Sequence, residues 1–107
     1  MTIDLPAPVR AAIGAASAGD TDAFLACFPP DGVVDDWGRE FTGHHEIRAW
    51  SGREFIGVKV QLRVLQVAIE DLDVVVTAQV GGGGFNGPSH FTFRVEGGHV
   101  TRMTIRA

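Results

Sequence analysis

The sequence predicts a single α+β domain, residues 1–107, in which three N-terminal helices pack on a curved antiparallel sheet. Three observations carry that prediction. Apolar residues recur at helical spacing as far as Gly57 and at a spacing of two after Lys59. Proline and glycine stand where one segment hands over to the next. Helical runs precede strand runs instead of alternating with them, the order of an α+β domain with its helices on one face of the sheet.

Pro6 and Pro8 suit the opening of the first helix, where a missing N–H costs nothing. Val9, Ala12, Ile13 and Ala16 follow at helical spacing, and Gly19 stops the run. Asp20 is placed to cap a short second helix that buries Phe24, Leu25 and Phe28, and Pro29-Pro30 ends it. Val33 to Asp36 and Arg39 to Phe41 form a small strand pair around the Gly38 turn. Thr42-Gly43 then starts the third helix, with Glu46 near the positive end of its dipole, a stripe of Ile47, Trp50 and Phe55, and Gly57 as its stop.

Val60, Leu62 and Val64 alternate with polar residues, and Val67 and Ile69 continue with the opposite parity. The slip across Leu65-Gln66 predicts a β-bulge in a long, curved strand. Further strands are expected over Leu72–Val80, Ser89–Val95 and His99–Arg106. Gly97-Gly98 makes the last turn tight, and Gly81 to Gly84 with Asn86-Gly87 makes a longer, mobile connection. The glycine run lacks the following helix and the lysine of a phosphate loop, so it reads as a turn.

Composition narrows the function classes. Apolar residues make up 45% and charged ones 21%, ordinary values for a folded domain. The net charge is −4, there is a single lysine, and no basic cluster suggests nucleic acid as a partner. No uninterrupted apolar run is long enough to span a membrane, and the N-terminus does not read as a signal peptide, so a cytoplasmic location is expected. Cys27 is alone, which excludes an intrachain disulfide. His44 and His45 diverge by about 100° on a helix, while His90 is expected on the outer sheet face and His99 at a hairpin. No metal or cofactor is expected.

Three segments resemble the NTF2-like superfamily, in particular its SnoaL-like and ketosteroid-isomerase-like branches. They are Ala18-Gly19-Asp20-Thr21-Asp22 leading to Phe28–Asp36, then Phe41-Thr42-Gly43-His44-His45-Glu46-Ile47-Arg48-Ala49-Trp50, and Ser89–Phe93 with the Gly97-Gly98 turn and Val100–Met103. The resemblance implies a bent sheet wrapped on the helices with a conical apolar pocket between them, a small hydrophobic molecule as ligand, and a homodimer formed through the outer sheet face. Ser89, Phe91, Phe93 and Val95 share one face of their strand. Val100, Arg102 and Thr104 are expected to oppose Thr101, Met103 and Ile105, and Arg94, Arg102 and Arg106 to gather outside, facing acids of a partner subunit.

The resemblance also places a general base at Asp36. Strand parity puts Asp36 with Val34, facing the pocket, and Asp35 in solvent. Trp37, Trp50, Ser89, Phe91 and Met103 are the candidate substrate contacts. Ketosteroid isomerase works with an aspartate base beside a tyrosine and a protonated aspartic acid. Here the tyrosine position falls on Ala12 and the second acid on Ser89, so steroid isomerisation by that route is not expected. Two readings stay open. One is an enzyme of isomerase or cyclase type, in which Asp36 abstracts a proton next to a carbonyl. The other is a non-catalytic domain for hydrophobic-ligand binding or dimeric association, which the missing oxyanion donors favour.

Overall fold

A computed structural model describes residues 5–107; the first four residues of the segment read above for a signal peptide lie outside it. Helix α1 spans Ala7–Ala18, with Pro8 in its first turn and Gly19 closing it at φ 75°. Helix α2 spans Thr21–Ala26, and the Asp20 carboxylate accepts the Ala23 N–H at 3.1 Å, as expected of its cap. Helix α3 spans Gly43–Glu54, and Glu46 folds back to accept the Thr42 N–H at 2.8 Å. Gly57 does not stop α3. It lies in a separate 3₁₀ turn, Ile56–Val58, that packs back on the helix. A Cβ at Gly57 would sit 1.7 Å from the Gly52 carbonyl oxygen, so close backbone approach is why glycine is there.

Six strands form one sheet: β1 (Val33–Asp36), β2 (Arg39–Thr42), β3 (Gln61–Glu70), β4 (Asp73–Gly81), β5 (Gly87–Glu96) and β6 (His99–Arg106). Their order is β2-β1-β6-β5-β4-β3. The expected meander is present, but the first strand pair is part of the same sheet. β1 joins β6 in parallel, so the sheet is antiparallel at every pairing except that one. The β3 register slips between Val64 and Gln66, leaving Leu65 as the extra residue of the predicted bulge.

A second slip corrects the parity expected for β6. Arg94 pairs with Arg102, but Val95 pairs with Val100, so Thr101 is an unpaired extra residue. Beyond it Val100 turns inward and is fully buried, with Met103 and Ile105, instead of joining Arg102 outside. Val34, Phe91, Phe93, Met103 and Val100 meet Val9, Phe24, Phe28, Ile47 and Trp50 from the helices in one continuous core.

The connection at residues 81–87 is not the free tip the glycine run suggested. It is docked on the end of the 3₁₀ turn and the residues that follow: the Gly83 N–H donates to the Val58 carbonyl at 2.7 Å. A Cβ at Gly82 would lie 2.4 Å from the Lys59 oxygen. No helix among the described residues is long and apolar enough to cross a membrane.

Candidate active-site cavity

The helices cover the inner face of the sheet unevenly, leaving a cavity of about 400 Å³ between α3, the 3₁₀ turn and the end of the sheet where β1 stops and β5 starts. Alternation along β1 assigns its two acids to opposite sides. Val34 is fully buried in the core, and Asp36, two residues on, turns its carboxylate to the cavity as parity required.

Asp36 is not a lone acid among aromatics. Its Oδ2 accepts the Trp50 indole N–H at 3.0 Å and a guanidinium N–H of Arg39. Arg39 also holds both oxygens of Glu54, at 2.7 and 3.0 Å, tying β2 to the end of α3. The pairing is strong enough to hold Glu54 below the usual carboxylate range, with the Arg39 hydrogen bond as the main cause. Both Asp36 contacts fall on Oδ2, so Oδ1 has no hydrogen-bond partner among the described residues.

Trp37, Trp50, Ser89 and Phe91 border the same cavity, so the structure gathers five of the six candidate residues. Trp50 stacks on Phe55 with ring centroids 4.9 Å apart and on Phe41 at 6.0 Å, and Phe55 leans on Phe91 at 6.4 Å. Ser89 is only 3% exposed, facing inward between Phe91 and the β4–β5 connection. Met103 is the exception. It is buried in the packed core, off the cavity wall, because it lies level with Val34 and Phe93, two residues further into the sheet than Asp36, Ile105 and Phe91, which border the cavity. Sequence reasoning missed Arg39, Arg53, Glu54 and Phe85 on the wall. Arg39 could have been found, since a two-residue turn at Trp37-Gly38 sets Asp36 and Arg39 directly opposite each other.

Asp35, expected in solvent, is only 7% exposed. On the outer sheet face it accepts from Arg102 at 2.9 Å, from Arg106 at 3.0 Å and from the Gly38 backbone N–H at 2.7 Å. The expected outer cluster of arginines is present, but its acids come from the same chain: Asp35 and Glu40 hold Arg102, and Asp73 holds Arg94. His44 is committed to the Phe28 carbonyl at 2.8 Å, His45 and His90 stand in solvent, and His99 contacts the Gly97 carbonyl at the hairpin. Among the described residues no group of three or more histidine, cysteine or acidic side chains could hold a metal ion.

Comparison with solved structures agrees with this architecture. A candidate polyketide cyclase from Sinorhizobium meliloti superposes with a TM-score of 0.84 at 28% identity, over 96% of each chain. A protein of ketosteroid isomerase-like fold from Catenulispora acidiphila, crystallised with trimethylamine, gives 0.82 at 22% identity, covering 97% of this chain and 87% of that one. The Δ5-3-ketosteroid isomerase of a Mycobacterium species gives 0.81 at 17%, covering 94% and 90%. No curated protein matches significantly. The SnoaL-like domain family matches residues 9–103, nearly the whole of the helices-then-sheet cone just described, and the chain belongs to that family.

Proposed function

We propose that the cavity is the active site of a small-molecule enzyme of isomerase or cyclase type acting on a hydrophobic carbonyl compound. The observation that carries this reading is the one-sided engagement of Asp36. Arg39 and Trp50 fix Oδ2, which orients the carboxylate and leaves Oδ1 open. A substrate seated against Trp50 and Phe91 would give Oδ1 a proton from the carbon next to its carbonyl. The C–H electron pair moves into the carbon–carbon bond and the carbonyl oxygen becomes an enolate. The Ser89 hydroxyl and the outer edge of the Arg39 guanidinium are the donors available to that oxygen, in place of the tyrosine and acid absent from Ala12 and Ser89. Return of the proton to another carbon completes an isomerisation; in a cyclisation the enolate carbon attacks a second carbonyl, whose π pair moves to its oxygen, and that oxygen takes the proton back from Asp36 as a hydroxyl.

The test is exchange of the α-protons of 2-tetralone in D₂O, followed by NMR. The parent protein should accelerate exchange, and Asp36→Asn should remove about 100-fold or more of that acceleration. A parent that accelerates nothing while still binding the ketone favours the second reading, a non-catalytic hydrophobic-ligand domain. The Asp36–Arg39–Glu54 ion chain supports that reading too, since it also serves as a structural tie between β2 and α3.

The same proposal includes a homodimer through the outer face of β4, β5 and β6. The half-buried Val75, Thr77, Thr92 and Thr104 on that face support it, and sedimentation at micromolar concentration tests it. A cytoplasmic site of action is consistent with the free thiol of Cys27. Cell fractionation tests that part.

A further inference from the structure

The cavity rim carries two large aromatic side chains that the fold does not use. Trp37 is 58% exposed and Phe85 59%, neither belongs to the core, and both border the cavity. Large exposed apolar groups gathered at a concave site point to something they bind.

Each is held by a defined backbone arrangement. Trp37 has φ 56° and Gly38 φ 88°, both central residues of the two-residue turn between β1 and β2. The first of those positions suits glycine, asparagine or aspartate, and a tryptophan there is strained. Such strain persists where the surroundings fix it, typically at functional sites. The surroundings here are explicit. The Trp37 N–H donates to the Ile105 carbonyl at 3.3 Å, and the Gly38 N–H to Asp35, itself gripped by Arg102 and Arg106.

Phe85 sits on the docked glycine loop. The Asn86 side chain donates to the Gly82 and Gly84 carbonyls at 3.0 and 3.1 Å, closing the loop on itself. The Phe85 ring lies over Gly87, where a Cβ would come within 3.2 Å of Cζ.

The two stand on one rim: both border the cavity, Trp37 from the β1–β2 turn and Phe85 from the β4–β5 connection, and β6 ends at Arg106, opposite His90, short of the start of β5.

We propose that Trp37 and Phe85 form an aromatic rim clamp against which a flat conjugated ring system stacks, so that the cavity selects planar conjugated ligands over saturated ones of the same skeleton. The proposal rests on the cavity being the ligand site; it does not need Asp36 to be a base.

Calorimetric titration of the full chain with 2-naphthol and decahydro-2-naphthol tests it. The parent should bind the planar probe at least about tenfold more tightly, as expected for two aromatic contacts. That preference should fall to near unity in Trp37→Gly and Phe85→Leu, both of which should unfold within a few degrees of the parent. Asp36→Asn should retain it. Equal affinity of the parent for both probes, no measurable binding of either, or a preference that survives both rim substitutions overturns the clamp. Preference intact with no 2-tetralone exchange sinks the catalytic reading and leaves the clamp standing.

Discussion

Replacing Asp35 by asparagine tests whether the outer acid of β1 is a structural anchor. In the native protein its carboxylate accepts three guanidinium hydrogen bonds, one from Arg102 and two from Arg106, and one from the Gly38 N–H. Asparagine keeps an oxygen for Gly38 but turns an NH₂ toward the guanidiniums. Charged hydrogen bonds contribute about 1.5–3 kcal/mol when buried. Arg102 and Arg106 keep 38% and 44% of their side-chain surface in water, so each pair falls near the lower, screened end, about 1 kcal/mol. The loss should therefore total about 2 kcal/mol, or about 10 °C in the unfolding midpoint of a domain this size.

The pH dependence gives an independent check. The Arg106 hydrogen bond, above all, holds the Asp35 carboxyl below its ordinary range; burial opposes this, and Gly38 and Arg102 add to it. A carboxyl depressed in the folded state contributes stability that is complete above its unfolded pKa of about 3.9 and is lost as pH falls through the folded value. Urea denaturation followed by circular dichroism should show the parent losing this increment below about pH 4, while Asp35→Asn lacks it at every pH and converges on the parent in acid. A variant within about 0.5 kcal/mol of the parent at pH 7 would refute the anchor role, since a surface substitution gives no more than that.

Other outcomes follow from the same geometry. Gly57→Ala should cost about 3 kcal/mol or prevent folding, because its Cβ meets the Gly52 backbone and nothing there can yield; thermal unfolding reads this directly. Gly82→Ala, with a Cβ 2.4 Å from the Lys59 oxygen at φ 118°, should unseat the β4–β5 loop. Its signature is weaker 2-naphthol binding from a residue that has no side chain to touch the ligand. Trp50→Phe keeps the stacks on Phe41 and Phe55 but removes the indole donor to Asp36, so 2-tetralone exchange should fall about tenfold with a modest change in stability, about 1–2 kcal/mol. Arg39→Met should lower exchange by freeing the Asp36 carboxylate to rotate, and losing the tie to Glu54 should cost no more than about 1 kcal/mol, since the guanidinium lies half in solvent.

Most of the fold was legible because it is written in short-range signals. The Asp20 cap, the Gly19 stop and the Leu65 bulge each depend on a few neighbouring residues, and each appears where the pattern placed it. Failures came where two distant backbones meet. Gly57 and the 82–84 glycines read as a stop and a flexible tip; in fact they are absences of side chain that let Gly52 and the 58–60 segment come close. A linear pattern cannot distinguish a glycine that frees the chain from one that makes room for another chain segment. The Thr101 bulge was missed because Gly97-Gly98 implied a regular hairpin, and one unpaired residue was enough to turn Val100 inward.

The adjacent acids of β1 show how far alternation carries a functional argument. Parity correctly sent Asp36 to the cavity and Asp35 to the other side, but facing away from the core does not mean facing water. β6 lies beside β1 in parallel, with Asp35 level with Thr104 and the two neighbouring arginines flanking it, so the sheet supplies the cover. Through the Gly38 N–H this covered acid fixes the turn that carries Trp37 to the cavity rim. One strand of four residues thus aims a carboxylate into the hollow from one face and braces the rim of that hollow from the other. Hence removing the oxygen that accepts the Gly38 N–H, in Asp35→Ala, on the opposite face of the sheet, should also weaken the 2-naphthol preference, and an Asp35→Ala variant that is less stable yet keeps the full preference would separate the brace from the clamp.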